Sequence, residues 1–408
     1  MAAQTGMASR LVKQWPNMAN AIKKITVVGR GTVGAISAAQ LLSETDAEIE
    51  WLFDSTIPTA AVGEGTTLMV PKMLSRALDW DTSDLYDIGG TAKLGIWKEN
   101  WGSGNKFLHP FPVGSHGMHM CATDLQKKIF EQLAGNKRLT IRDEYVSDPH
   151  DVDSDGVLVC SGSPENMKDF DTLESVAVNA CYVTQCYWDG PKFSHTLTIA
   201  RPYGWVFGIP LQNRCSIGYL FNKDINELDH VIADVQEVFA QFGLQPSDET
   251  NFIKFRSYRR KDNFQGKVVY NGNSSFFVEP LEATSTSSTI YLTNMAGHYW
   301  RSPKSFYQER YDTMISDVAK MIALHYIKGS IFDTKFWDHA KAISADYLRK
   351  ELTRGDNFYN MVYGCLNGRL SGGEVGTWSG SSFRVNIKKL GIREALTDLM
   401  PSHEGKAA

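Results

Sequence analysis

The chain has 408 residues, 42% apolar and 22% charged, enough for two to four domains or one large bilobal unit at roughly 100 to 200 residues per domain. Its 42 basic and 46 acidic side chains leave a net charge of -4, which gives no global reason to bind nucleic acid or an anionic bilayer. Six cysteines with no CxxC pair, no apolar run near the ~18 residues of a membrane span and no secretory core at the amino end point to a cytoplasmic protein working on small molecules.

Residues 1–24 read as an irregular lead-in that carries Arg10, Lys13, Lys23 and Lys24 and no acid. Ile25 to Gly29 is a β-branched run ending in glycine, Thr32 to Leu42 follows with helical spacing, and Glu48 to Asp54 forms a second strand. Such a β-α-β unit opens a doubly wound parallel sheet. From about 135 to 220, short runs between turn signals predict an antiparallel, sheet-rich stretch: Gly156 to Cys160, Val176 to Cys186, His195 to Ala200, Trp205 to Ile209 and Cys215 to Phe221. Asp229 to Phe242 and Lys304 to Ile327 read as helices closed by Gly243 and by Lys328-Gly329. Six glycines between Gly364 and Gly380 predict a long, mobile loop. The expected fold class is α/β: a Rossmann-like nucleotide-binding lobe over 25–300 with substrate-side segments at about 75–135 and an interleaved antiparallel sheet, then a mostly helical substrate-side lobe over 301–408.

Gly29-Arg-Gly31-Thr-Val-Gly34 fits GxGxxG, in which the first glycine permits a tight turn, the second close approach of backbone to a pyrophosphate, and the third close packing of helix on strand. The amides opening the helix, at Thr32 and Val33, then face the phosphates. Asp54, 20 residues beyond Gly34, stands where a carboxylate takes ribose hydroxyls. The bland alternative is a tight turn with no ligand, and the motif alone leaves FAD and NAD open. Ala61-Val62-Gly63-Glu64-Gly65-Thr66-Thr67 follows at the carboxyl edge of the sheet, beside a bound cofactor. His116 and His119 form HxxH with no third ligand at a metal-binding spacing, so no metal is expected.

Taken together these segments resemble the flavin-dependent halogenases of the tryptophan halogenase type, whose second loop reads GEAT. Ala92-Lys93-Leu-Gly95 is similar to the family's FK-x-[AG], His109-Pro110-Phe111 to its HPF, and Val159-Cys-Ser-Gly162 to its DCTG. Gly204-Trp205-Val-Phe207-Gly-Ile209-Pro210 resembles GWxWxIP, Phe277-Val-Glu279-Pro-Leu-Glu282-Ala283-Thr284 resembles FVEPLEST, and Ala323-Leu-His325-Tyr326 with Phe336-Trp337 resembles its helical HY and FW. The resemblance covers about 25–340 and is to a short member. Phe207 replaces a tryptophan, Gly65 the alanine of GEAT, and Ala283 and Ser285 the serine and glycine of ESTG.

The resemblance implies a two-component enzyme: a separate flavin reductase supplies reduced FAD, which with oxygen and chloride, bromide or iodide forms hypohalous acid for an aromatic substrate. FAD would lie on Gly29, Gly31, Thr32, Val33, Gly34, Asp54, Val62, Gly63 and Thr286, and the halide at Thr284 and Ser285. Lys93 would steer the hypohalous acid, Glu282 would stabilise and deprotonate the ring, and His109 and Phe111 would stack on it. Trp205, Phe207, Ile209 and Pro210 would wall flavin from substrate, or serve only as core. Glu279 reads instead as a carboxylate capping helix amides. A hydroxylating flavin monooxygenase of the same fold needs neither Lys93 nor Glu282, and a flavin-binding protein without turnover is a third reading. The short carboxyl part predicts an open substrate face that admits varied phenols and indoles.

Overall fold

The computed structural model describes residues 22–59, 64–353, 356–369 and 372–401. Most of the amino-terminal lead-in, and both Val62 and Gly63, fall outside them.

A six-stranded sheet forms the nucleotide side, in the order Phe264–Gln265, Val268–Tyr270, Gly156–Val159, Lys24–Val28, Glu48–Phe53 and Leu139–Asp143. Every pairing in it is parallel except the one between the first two strands. Gly156–Val159 therefore belongs here and not to the antiparallel stretch where its flanking turns placed it. All four of its residues are buried, as a central parallel strand covered on both faces requires. The helix Thr32–Glu44 crosses over after the first strand. Its small residues Ala35, Ala38 and Ala39 are wholly buried and let the helix Thr284–Arg301 lie close. Ser37 Oγ to Thr293 Oγ1 at 2.9 Å and Gln40 Nε2 to the Ile290 carbonyl at 3.2 Å pin the pair.

A seven-stranded sheet stands against it, ordered Pro246–Lys254, Ala180–Tyr187, Arg214–Phe221, Gly204–Pro210, Thr196–Arg201, Gly95–Glu99 and Phe107–Pro110. It is antiparallel apart from the pair Thr196–Arg201 and Gly95–Glu99. Strand alternation assigns its two faces. Leu197, Ile199, Val206 and Ile217 turn outward under Val231, Val235 and Val238 of the helix Leu228–Phe242, which ends as expected at Gly243 with φ +60°. Thr196, Thr198, Trp205, Phe207 and Ile209 turn inward to a cavity.

The carboxyl part is helical, with Phe306–Tyr326, Lys335–Glu351, Asn357–Leu366, Gly380–Leu390 and Arg393–Leu399. Among the described residues from Gly364 to Gly380, regular elements stand where a long loop was expected. Gly364 lies buried inside a helix, and Glu374–Val375 pairs with Trp378–Ser379 as a hairpin. Val375 and Trp378 are buried, so apolar anchors fasten the hairpin. Among the described residues no helix is long and apolar enough to cross a membrane.

Candidate active site

One cavity of about 2020 Å³ runs between the sheets, from Gly29, Gly31, Thr32, Val33 and Asp54 to Lys93, Glu282, Thr284, Ser285 and Thr286. Ordinary ligand pockets hold ~300 to 1,000 Å³, so an extended dinucleotide has room. The glycine turn divides its labour as the motif requires. A Cβ on Gly29, whose φ is +110°, would meet the Cys160 carbonyl oxygen at 2.4 Å, and one on Gly34 would meet the Gly29 oxygen at 1.9 Å. One on Gly31 would meet nothing within 4 Å, because that residue faces the cavity. Asp54 Oδ1 accepts from the Thr56 amide at 2.8 Å and hydroxyl at 2.5 Å, leaving Oδ2 for a ribose. Among the described residues, Thr286 Oγ1 is buried without a partner. An open glycine, an available carboxylate oxygen and an unpartnered hydroxyl at opposite ends of one cavity fit FAD.

Glu64, from the loop after the second strand, lines the cavity, but Arg214 Nη1 and Ser216 Oγ hold its Oε2 at 3.2 and 2.7 Å. Two departures from the family motifs meet beside it. A Cβ on Gly65 would sit 3.8 Å from both Ala283 Cβ and Ile209 Cδ1.

Lys93 ends the short strand Thr91–Lys93, opposite Gly117. It is 1% exposed, and its Nζ stands 5.7 Å from the centre of the Phe111 ring. Burial pushes its amine down to about 8, while Glu282 pulls it up and Lys98 pushes it down. Glu282 is brought inward by a turn in which it and Ala283 both take left-handed backbone, φ +73° and +52°. Neither is glycine, so each costs on the order of 1 kcal/mol that the surroundings must offset. The helix Thr284–Arg301 starts directly after, which puts Thr284, Ser285 and Thr286 in its first turn.

The expectation that Glu282 simply points toward substrate is incomplete. Its Oε1 accepts from Lys98 Nζ and lies 3.1 Å from His325 Nε2. His325 Nδ1 donates to the Met321 carbonyl at 2.9 Å, which leaves Nε2 as the lone-pair nitrogen toward Lys98. Burial opposes ionisation of Glu282, yet the charge of Lys98 holds the carboxyl well below its ordinary range. Lys98 escaped sequence reasoning, although it shares the inward phase of its strand with Ile96. A lysine at such a position signals a buried counter-charge.

His109 and Phe111 do not line the cavity. Burial pushes the His109 imidazole down to about 4. Its Nε2 lies 3.0 Å from Ser382 Oγ, and its Nδ1 is buried without a partner among the described residues. Trp378 closes this side, its ring centre 4.9 Å from that of His325 and 6.5 Å from that of His109. Trp205, Phe207 and Ile209 line the cavity, whereas Pro210 does not; its carbonyl takes the Thr91 hydroxyl at 2.7 Å. Among the described residues Glu279 caps no helix: it accepts from the Tyr326 hydroxyl, and burial raises its carboxyl to about 8. His119 is held between the hydroxyls of Thr91 at 3.1 Å and Thr196 at 2.9 Å.

The profile of the tryptophan halogenase family matches residues 24–143 and 156–386. The tryptophan 6-halogenase SttH of Streptomyces toxytricini is 27% identical over 168 residues, 39% of this chain and 32% of that protein. The tryptophan 7-halogenase RebH of Lentzea aerocolonigenes is 28% identical over 167 residues, 38% of this chain and 31% of that protein. The chain thus matches about a third of the length of these curated relatives. Solved structures with the same fold include MibH, a lanthipeptide tryptophan 5-halogenase, with TM-score 0.74, 19% identity and coverage of 94% of this chain and 91% of that one. BrvH, a flavin-dependent halogenase from Brevundimonas sp. BAL3, gives 0.72 and 20% with the same coverages, 94% and 91%. With its glycine turn, its inward lysine and its Glu282 turn inside the matched residues, the chain belongs to the tryptophan halogenase family.

Proposed function

We propose that this chain is a two-component FAD-dependent halogenase of electron-rich aromatics, working in the cytoplasm on reduced FAD delivered by a separate reductase. The observation that carries this reading is the single cavity that joins the glycine turn and Asp54 to Lys93 and Glu282. Bound there, reduced FAD with oxygen would supply the oxidising power that turns halide into hypohalous acid. Gly31 and the amides of Thr32 and Val33 receive the pyrophosphate, Asp54 the ribose, and Thr286 the ring system.

Thr284 and Ser285, in the first turn of their helix, offer amide donors to a halide that has lost its water. Trp205, Phe207 and Ile209 keep that end dry. Lys93 Nζ, near 8, is available both as ammonium, which donates a hydrogen bond to hypohalous acid, and as amine, which exchanges an N–H for an N–halogen bond with release of water. Glu282 Oε2 stabilises the positive ring and takes its proton. By resemblance His109 and Phe111 would border the substrate beyond Lys93, outside the present lining of the cavity. Hydroxylation would use neither Lys93 nor Glu282, and family membership favours halogenation.

The reading is tested with a panel of phenols, indoles and tryptophan given reduced FAD, oxygen and chloride, bromide or iodide, with products followed by mass spectrometry. A halogen isotope pattern is expected; hydroxylated product alone would overturn the reading.

A further inference from the structure

We infer that Lys98 is a positioning residue: by taking up the charge of Glu282 at Oε1, it leaves Oε2 for the cavity and keeps Lys93 from becoming the counter-ion of that carboxylate. The use made of Lys93 rests on the halogenase reading, but the geometry does not. Lys98 and Glu282 are 184 residues apart in the chain, and their side chains are 0% and 3% exposed. Lys98 donates to Oε1, and the His325 ring lies against the same oxygen. Neither Lys98 nor His325 lines the cavity, whereas Glu282 and Lys93 do.

His325 cannot replace Lys98 in this role. Its Nδ1 proton is committed to Met321, and burial, with Lys98 beside it, disfavours a second proton. The remaining groups around Lys93 are imidazoles: His109 on Phe107–Pro110 and His119 on Gly117–His119. Burial keeps both neutral. Lys98 and Glu282 are therefore the charges that act on Lys93, and they act in opposite senses. Without Lys98, the carboxylate of Glu282 would act on Lys93 unopposed and favour its ammonium form, which is poor as an amine.

The experiment follows the Lys93 side chain directly. Protein labelled with carbon-13 at lysine Cε is titrated by NMR, with the Lys93 resonance assigned by its loss in Lys93→Met. Lys98→Met should raise the Lys93 midpoint by a unit or more, a tenfold gain in proton affinity, and Glu282→Gln should lower it. Because Lys98→Met strands a buried carboxylate, folding is checked by circular dichroism; if that variant does not fold, Glu282→Gln and the double variant decide. The double variant removes both charges and should titrate within about half a unit of wild type, as opposing shifts cancel. A midpoint unmoved in either folded single variant, or moved in the opposite sense, would overturn the inference. If these shifts appear while no protein in the set halogenates any aromatic, the functional reading fails and the role of Lys98 stands.

Discussion

Tyr326 donates its phenolic hydrogen to Glu279, 47 residues earlier, with 2.9 Å to Oε1 and 3.2 Å to Oε2. Both side chains are buried, and burial raises the Glu279 carboxyl from 4.5 to about 8. The folded chain thus keeps a proton that the unfolded chain releases near 4.5. Stability is fully present below that value and is lost as pH rises through about 8. Glu279→Gln preserves an acceptor for Tyr326 without the ionisation. The variant should melt above wild type at pH 8, with a gain of up to about 4 kcal/mol of stability, and converge with it near pH 5. Calorimetry across that range checks the sign.

Gly31 and Gly34 should separate ligand binding from folding. A side chain at Gly31 enters open space, whereas one at Gly34 strikes the Gly29 carbonyl at 1.9 Å. Gly31→Val is expected to fold with a near-normal melting temperature and bind FAD at least about tenfold more weakly, a loss of roughly 1.4 kcal/mol. Gly34→Ala is expected to lose about 2 kcal/mol or more of stability through overpacking. Flavin fluorescence titration beside thermal melts decides it; normal FAD affinity in Gly31→Val would move the cofactor elsewhere.

Lys93 should show activity and stability in opposition. Its folded amine sits near 8 against an ordinary 10.5, so the unfolded chain holds the proton more tightly. Stability from this site is absent at neutral pH and returns as pH rises from about 8 to 10.5. Lys93→Met should be more stable than wild type at pH 7, by up to about 3 kcal/mol, with the gap closing by pH 10.5. The same variant should release peroxide from reduced FAD and oxygen yet give no halogenated product. Lys93→Arg should fail as well, since a guanidinium stays charged. Near wild-type product from either variant would sink the steering role.

Trp378 is 1% exposed and lies with its ring 5.1 Å from Lys98 Nζ. Trp378→Ala should cost about 3 to 5 kcal/mol, the usual range for emptying a buried aromatic site. In the variant that still folds at low temperature, product from bulky phenols and indoles should rise relative to product from small ones. Competition kinetics on mixed substrates measures this. An unchanged ratio would place the substrate away from the Trp378 hairpin.

Local pattern carried much of this protein. The glycine turn at Gly29 to Gly34, the strand and helix that flank it, and the helices ending near Gly243 and Gly329 are legible because each depends on neighbours within a few residues: backbone freedom, strand alternation and helical spacing; Lys93 and Glu282 stand out only through the resemblance of their segments to family motifs. Gly156–Val159 was misplaced because turns say where a strand ends, not which strands it pairs with; parallel partners come from Lys24–Val28 and Val268–Tyr270. The Trp378 hairpin escaped for a similar reason. Its glycines are local, but the surfaces that bury Val375 and Trp378 are distant in sequence. The charge relationships lay wholly in the tertiary structure. A lysine is ordinarily solvated, and only the long-range approach of Lys98 to Glu282 and of Tyr326 to Glu279 brings these groups out of water, where burial and the pairing partner decide which of them holds a proton.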